Sequence, residues 1–373
     1  MDFEAYPFEK LTTLLKDITP NGNYAPLTLT IGEPQFETPD FIQKTLQNTS
    51  SLLNKYPKTS GEQILKKAQI GFVKNRFGVD LEENQIIPTF GTREVLFNFP
   101  QFLLYDIKNP TMAFTNPFYQ IYEGASIASR SNVIHLDLTK ENDFKAEINP
   151  EVLKKCDLVI INFPNNPTTS SLTIKELSLW AKAAIEHDFV LINDECYSEI
   201  YNDSPDPSLL EASIKVGNSE FKNILVVNSI SKRSSAPGLR SGFIAGDKEI
   251  LKEYMKYRTY VGCASPLPLQ HASAAAWSDE NHVRENREKY RKNFELAKEI
   301  LGIKIPKSTF YIWLEVKDDL EFTKILFKEK NLKVLPGSFL SRGEFKTNHV
   351  RIALVENEEK TKDALLRIKE YLL

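Results

Sequence analysis

The sequence predicts an α/β protein with a large domain, built on a mostly parallel central sheet covered by helices, and a smaller αβ domain. Two observations carry that prediction. Short, continuously apolar runs at 86–90, 111–115, 133–136, 158–162, 190–193 and 224–227 alternate with stretches of helical period, and strands apolar on both faces belong to sheets covered on both sides. After Ser265-Pro266-Leu267-Pro268 the pattern changes to a long charged stretch, followed by a second, smaller set of strands and helices.

Taken in order, the first forty residues place turn formers and prolines around the apolar patch 27–31 and read as an arm lying against something larger. Helical period begins at Phe41. Between the fourth and fifth apolar runs, Leu172, Leu177, Trp180, Ala184 and Ile185 give residues 172–187 one apolar face, the mark of an amphipathic helix. Residues 269–300, dense in Glu, Arg and Lys, read as one long helical stretch. Strands at 310–316 and 334–337 flank a helical segment at 322–330, and a last strand at 350–355 precedes a terminal helix at 358–372. The division that follows is a large domain at 41–268 and a small domain formed by 1–40 and 269–373, with an N-terminal arm.

Composition narrows the partners. The net charge of −3 over 373 residues offers no basic footprint for nucleic acid, so small molecules are expected. The first residues lack a basic segment followed by an apolar one, and no apolar run approaches membrane-spanning length, which leads to a cytoplasmic expectation. The three cysteines form no CxxC pair and the five histidines show no HExxH spacing, so no metal is expected.

In mostly parallel sheets, ligands bind beyond the C-terminal ends of the strands. The polar residues that follow each apolar run are therefore the candidates: Gly91-Thr92-Arg93, Asn116 to Tyr119, Asn165-Asn166-Pro167, Asp194 to Tyr197, and Ser229-Ile230-Ser231-Lys232. Each has a plainer reading by itself. Asp194 could cap a turn, Asn166 could build one, Tyr119 could be core, and Lys232 could be an ordinary surface lysine. Arg351 lies inside an apolar strand, where a guanidinium needs a carboxylate, either a ligand's or that of Glu356.

In this order and spacing, Asn-Pro-Thr at 166–168, Asp194-x-x-Tyr197, Ser229-x-Ser231-Lys232 and Gly238-x-Arg240-x-Gly242 resemble the fold-type I pyridoxal phosphate (PLP) aminotransferases, from Ile31 to the C-terminus. One departure is visible: Thr169 stands where the family usually has glycine, a change to a turn and not to the chemistry. The resemblance implies that Lys232 anchors the cofactor and moves the substrate's α-proton. Asp194 would keep the ring nitrogen protonated, and Asn166 and Tyr197 would bond the ring's phenolic oxygen. Gly91, Thr92, Arg93, Ser229 and Arg240 would hold the phosphate, with Tyr119 stacking on the ring. Arg351 would grip the substrate's α-carboxylate and Gly32 would close over it. Tyr56 matches the tyrosine that reaches the neighbouring subunit's phosphate, which implies a homodimer with shared sites.

Segments outside these motifs, among them Ser231-Lys232-Arg233-Ser234-Ser235, 276–283 and 335–342 with Val350-Arg351-Ile352, look like the N-succinyl-LL-diaminopimelate aminotransferases of lysine and cell-wall precursor synthesis. Glutamate is the amino donor this implies. Arg93, Arg233 and Arg342 are then candidates for the acceptor's distal carboxylates. An aspartate or broad-specificity aminotransferase is the alternative, and a PLP-dependent carbon–sulfur lyase shares the fold.

Overall fold

The computed structural model describes residues 2–343, 345 and 347–372. Its strands are β1 (Leu27–Thr28), β2 (Ile86–Thr89), β3 (Thr111–Asn116), β4 (Asn132–Asp137), β5 (Leu158–Ile161), β6 (Val190–Asp194), β7 (Ile224–Ser229), β8 (Gly242–Gly246), β9 (Tyr311–Glu315), β10 (Leu332–Lys333), β11 (Leu335–Pro336) and β12 (His349–Ala353). Seven of them form one sheet in the order β2-β8-β7-β6-β5-β3-β4. Every neighbouring pair from β7 to β4 is parallel, and β8 runs antiparallel to both β7 and β2.

The central strands are buried along their whole length because each face meets its own layer of helices. Val159, Ile161, Leu191 and Val226 point into one apolar cluster with Phe72, Trp180 and Trp277. Leu158, Ile160, Ile192 and Leu225 alternate with them and meet Phe99, Tyr122 and Tyr254 on the other side. A period of two with both faces apolar produces the continuous runs seen in the sequence. β8 left no such run, because it is five residues long and has glycine at both ends, a pattern that reads as punctuation.

The stretch 269–300 is two helices, not one. Leu267–Ser278 ends at Asp279, and Asn281–Leu301 begins after Glu280. The first is small and apolar, and it buries Ala272, Ala274, Ala276 and Trp277 in the first of those clusters. Trp277 packs on Phe72 and Phe243 with ring centroids 4.9 and 5.3 Å apart. This helix therefore packs with the large sheet's layer. The charged stripe behind the expected boundary at 269 starts only at the second helix.

The second layer is the antiparallel sheet β11-β12-β9, whose Ile312, Leu314, Val350 and Ile352 pack with Phe294, Leu326 and Leu365 from three helices. The strand expected at 334–337 shrinks to β11, where Pro336 offers no N–H to continue a ladder. The arm docks here: β1 pairs with β10, and Pro7–Leu15 buries Leu11 and Leu15 against Phe327, Leu335 and Leu340. Among the described residues, no helix is long and apolar enough to cross a membrane.

Trp277 ties a helix to the sheet. Trp277→Ala removes a fully buried indole and should cost about 3–5 kcal/mol, read as a lower denaturant midpoint for the first unfolding transition. Trp277→Phe should lose a smaller part of that.

Candidate active site

The C-terminal ends of β3, β5, β6 and β7 open into a cleft of about 770 Å³, which β12 and the arm close from the other side. Gly32, Thr92, Arg93, Tyr119, Asn166, Asp194, Tyr197, Ser229, Lys232, Arg240 and Arg351 all line it.

One end of the cleft is built for an anion. The helix Thr92–Leu103 starts at Gly91 with no side chain capping it, so its first N–H groups are free and its dipole favours negative charge. Gly91 does not itself line the cleft. Its φ of 76° and the Arg240 guanidinium, which a Cβ at Gly91 would overlap, require glycine there. Arg240 is held by its own Nη1, which donates to the Pro237 carbonyl at 2.8 Å. Ser229 caps the short helix Ile230–Arg233 by accepting from the Ser231 amide at 3.1 Å.

Lys232 comes from that short helix and Asp194 from the end of β6. The Lys232 amine donates to the Gly32 carbonyl. Burial pushes it down to about 8, with the Arg351 and Arg240 guanidiniums acting the same way against the Cys196 thiol and Glu33. Asp194 is buried, which raises its carboxyl above the usual range, while bonds from Cys196 and Tyr122 act downward. The Cys196 amide donates to one of its oxygens at 3.2 Å and the Tyr122 hydroxyl to the other at 2.9 Å.

On the opposite wall, Arg351 Nη1 donates to Asn166 Oδ1 at 2.7 Å and Nη2 to the Thr30 carbonyl at 2.6 Å. Its buried Nε has no partner among the described residues, and the guanidinium lies 4.5 Å from the Tyr311 ring centroid. Glu356 pairs with Lys360 instead. The Tyr197 and Tyr311 hydroxyls are 3.0 Å apart. A Cβ at Gly32 would overlap the Tyr311 hydroxyl, so the arm can come this close only with glycine. At the mouth, Arg93 donates to Tyr119 Oη at 2.7 Å and to Tyr6 Oη at 3.4 Å.

Three expected residues lie elsewhere. Tyr56 is fully exposed and outside this chain's cleft. Arg233 points away from it and is 1% exposed, donating to Glu280 and the Ala276 carbonyl and lying over Phe72 and Trp277. Arg342 is held by Glu123, at 2.6 Å from Nε, and by Glu4. Neither arginine can read a substrate carboxylate from these positions. Conversely, sequence reasoning missed Tyr122 and Tyr311, and it covered Cys196 only within the span 194–197, with no role of its own. Tyr122 carries one signal, its place three residues after the candidate Tyr119; Tyr311 reads simply as an aromatic in an apolar strand.

Residues 25–368 match the family described as aminotransferase class I and II. The fold and the cleft agree with it: the chain belongs to this family and is a PLP-dependent enzyme of fold type I. It is similar over its full length to the structure of aminotransferase AspB from Helicobacter pylori 26695, with a TM-score of 0.97, 50% identity and 99% of that chain covered. Among relatives, the LL-diaminopimelate aminotransferase of Aquifex aeolicus is 31% identical, over 93% of this chain and 92% of that one. The aspartate aminotransferase of Pyrococcus abyssi is 30% identical, over 93% and 91%.

The residues present fit pyridoxal phosphate: an uncapped helix start with Arg240 for a phosphate, a buried acid, an amine of lowered pKa, and a buried guanidinium nitrogen without a partner. In the cofactor-free protein the Lys232 amine loses its charge as pH rises through about 8. Its labelling by trinitrobenzenesulfonate should therefore climb about tenfold per pH unit below 8 and level off above, while surface lysines, ordinarily near 10.4, keep climbing. Peptide mass spectrometry reads both.

Proposed function

We propose that the chain is an N-succinyl-LL-2,6-diaminopimelate:2-oxoglutarate aminotransferase of lysine and diaminopimelate synthesis, acting as a homodimer with shared sites. The observation that carries the reading is the meeting of Lys232, Asp194 and Arg351 in one cleft.

Bound pyridoxal phosphate supplies an aldehyde for exchanging amines and a ring that takes up the electron pair left on the substrate's α-carbon. The chain supplies the rest. Lys232 Nζ, uncharged for part of the time near neutral pH, takes the α-proton and returns it. Asp194 holds a negative charge at the cleft floor and so favours a protonated ring nitrogen. Asn166 and Tyr197 offer an amide and a hydroxyl to the ring oxygen. Thr92, Ser229, Ser231, Arg240 and the free amides after Gly91 hold the phosphate. Arg351 orients the α-carboxylate, and Gly32 lets the arm lie over it.

Three features support the acceptor. The subfamily resemblance covers segments outside the cofactor motifs. A relative at 31% identity is named for LL-diaminopimelate. The cleft, in the upper part of the usual range for ligand sites of about 300–1,000 Å³, has room for a long chain beside the cofactor, and Arg93 stands exposed at its mouth as the cation for a distal carboxylate. The homodimer rests on Tyr56, an exposed aromatic in the segment whose Thr59 carbonyl accepts from Arg258, the buried arginine that also pairs with Glu94 of the phosphate-side helix at 3.0 Å.

An acceptor screen on the purified, cofactor-loaded enzyme tests the reading. Turnover of N-succinyl-2-amino-6-oxopimelate with glutamate should exceed that of oxaloacetate. Efficient aspartate–oxoglutarate exchange with no activity on the succinylated acceptor would instead make it an aspartate aminotransferase. Release of pyruvate and ammonia from cystathionine would make it a lyase. Arg351→Lys keeps the charge but loses the planar fork, and should lower kcat/KM about a hundredfold, mostly through KM.

A further inference from the structure

Tyr122 is fully buried on the helix Ile121–Ser129 and does not line the cleft. The other aromatic of that turn, Tyr119, does. Their rings meet edge to face with centroids 5.9 Å apart, and Phe114 of β3 holds Tyr122 from a second side at 6.0 Å. Packing therefore fixes the phenol's direction. Its hydroxyl ends 2.9 Å from Asp194 Oδ2.

A phenol buried only for its ring would be served as well by phenylalanine. Among the described residues the hydroxyl has one partner, and that partner is the acid at the cleft floor. Burial and the Asp194 charge push the phenol well above its ordinary value, so it stays protonated and can only donate to the carboxylate. The Cys196 amide serves the other oxygen at 3.2 Å. The Tyr122 hydroxyl and the Cys196 amide take one site on each oxygen, the Cys196 thiol also acts to hold the carboxyl down, and lone pairs are left over. A carboxylate stripped of water becomes protonated unless donors replace the water, and burial here does push Asp194 upward.

We propose that Tyr122 is a positioning residue for the transamination: its hydroxyl holds Asp194 ionised and fixed in orientation at the cleft floor, so that the acid can keep the cofactor's ring nitrogen protonated. This rests on the role given to Asp194 above and not on the identity of the acceptor. It adds a residue that touches neither cofactor nor substrate and acts through the one that does. The turn before the helix Ile121–Ser129 and the helix itself thereby do two jobs, Tyr119 setting the aromatic wall and Tyr122 the charge of the floor.

Tyr122→Phe deletes the hydroxyl alone and keeps the packing, which makes it the variant of choice. The enzyme is loaded with pyridoxal phosphate labelled with ¹⁵N in the ring. The ring-nitrogen signal of wild type, Tyr122→Phe, Asp194→Asn and the double variant is read by NMR, beside the half-reaction with L-glutamate or L-aspartate. Tyr122→Phe is expected to move the signal toward the unprotonated position, in the direction Asp194→Asn moves it further. It should also lower the half-reaction's limiting rate about tenfold, the loss of one bond to a buried charge, with the amino acid's half-saturation within twofold of wild type. In the Asp194→Asn background the same change should have no further effect on rate or signal. An unmoved signal in Tyr122→Phe, or equal rate losses in both backgrounds, overturns the proposal and leaves Asp194 its role. A signal unmoved in Asp194→Asn as well overturns both assignments.

Discussion

The hydrogen bond from Arg351 Nη1 to Asn166 Oδ1, 2.7 Å long, is where the two layers of this protein become one site. Asn166 follows β5 of the parallel sheet, Arg351 sits in the middle of β12 in the antiparallel one, and Nη2 of the same guanidinium holds the arm through the Thr30 carbonyl. A guanidinium cannot be buried without partners to replace water, so the strand that carries Arg351 is useful only where it faces the other layer. One nitrogen, Nε, is left without a partner among the described residues. In the role proposed for Arg351 a substrate carboxylate would complete the set, and the junction of the layers and the grip on the substrate would be the same piece of chemistry.

The cleft's electrostatics follow from that junction. Arg93, Lys232, Arg240 and Arg351 line it with Asp194 and Glu94, and Glu94 is already matched by the buried Arg258. The excess is positive, and low-dielectric walls strengthen it. In the proposed reaction it would favour phosphate and carboxylate groups. Burial is the chief reason that Lys232 holds its proton less tightly, and the Arg351 and Arg240 guanidiniums act the same way against the Cys196 thiol and Glu33. Asp194 is raised by its burial, and the donors behind it together with the Lys232 charge oppose that rise.

Much of this was legible in the sequence because buried parallel strands leave unbroken apolar runs and their ends carry the chemistry. The runs before Asp194 and Ser229 pointed to the residues that meet in the cleft. What escaped had physical reasons. β8 hid between glycines, and the break at Asp279 was masked by continuous helical propensity on both sides. Arg233 looked like a free cation beside Lys232, but it is turned to the back of its helix and spent on Glu280, a direction that only the packing of Trp277 and Phe72 decides. Tyr122 was invisible as a partner of Asp194, because the contact joins residues 72 apart in the chain.

Fixing pyridoxal phosphate to the loaded protein with borohydride and mapping the tagged peptide tests the arrangement most directly. The Lys232 amine, of lowered pKa and inside the cleft with Asp194 and Arg351, should carry the tag and no other lysine should. Recovery of the tag on a different lysine, with Lys232 unmodified, would contradict the site.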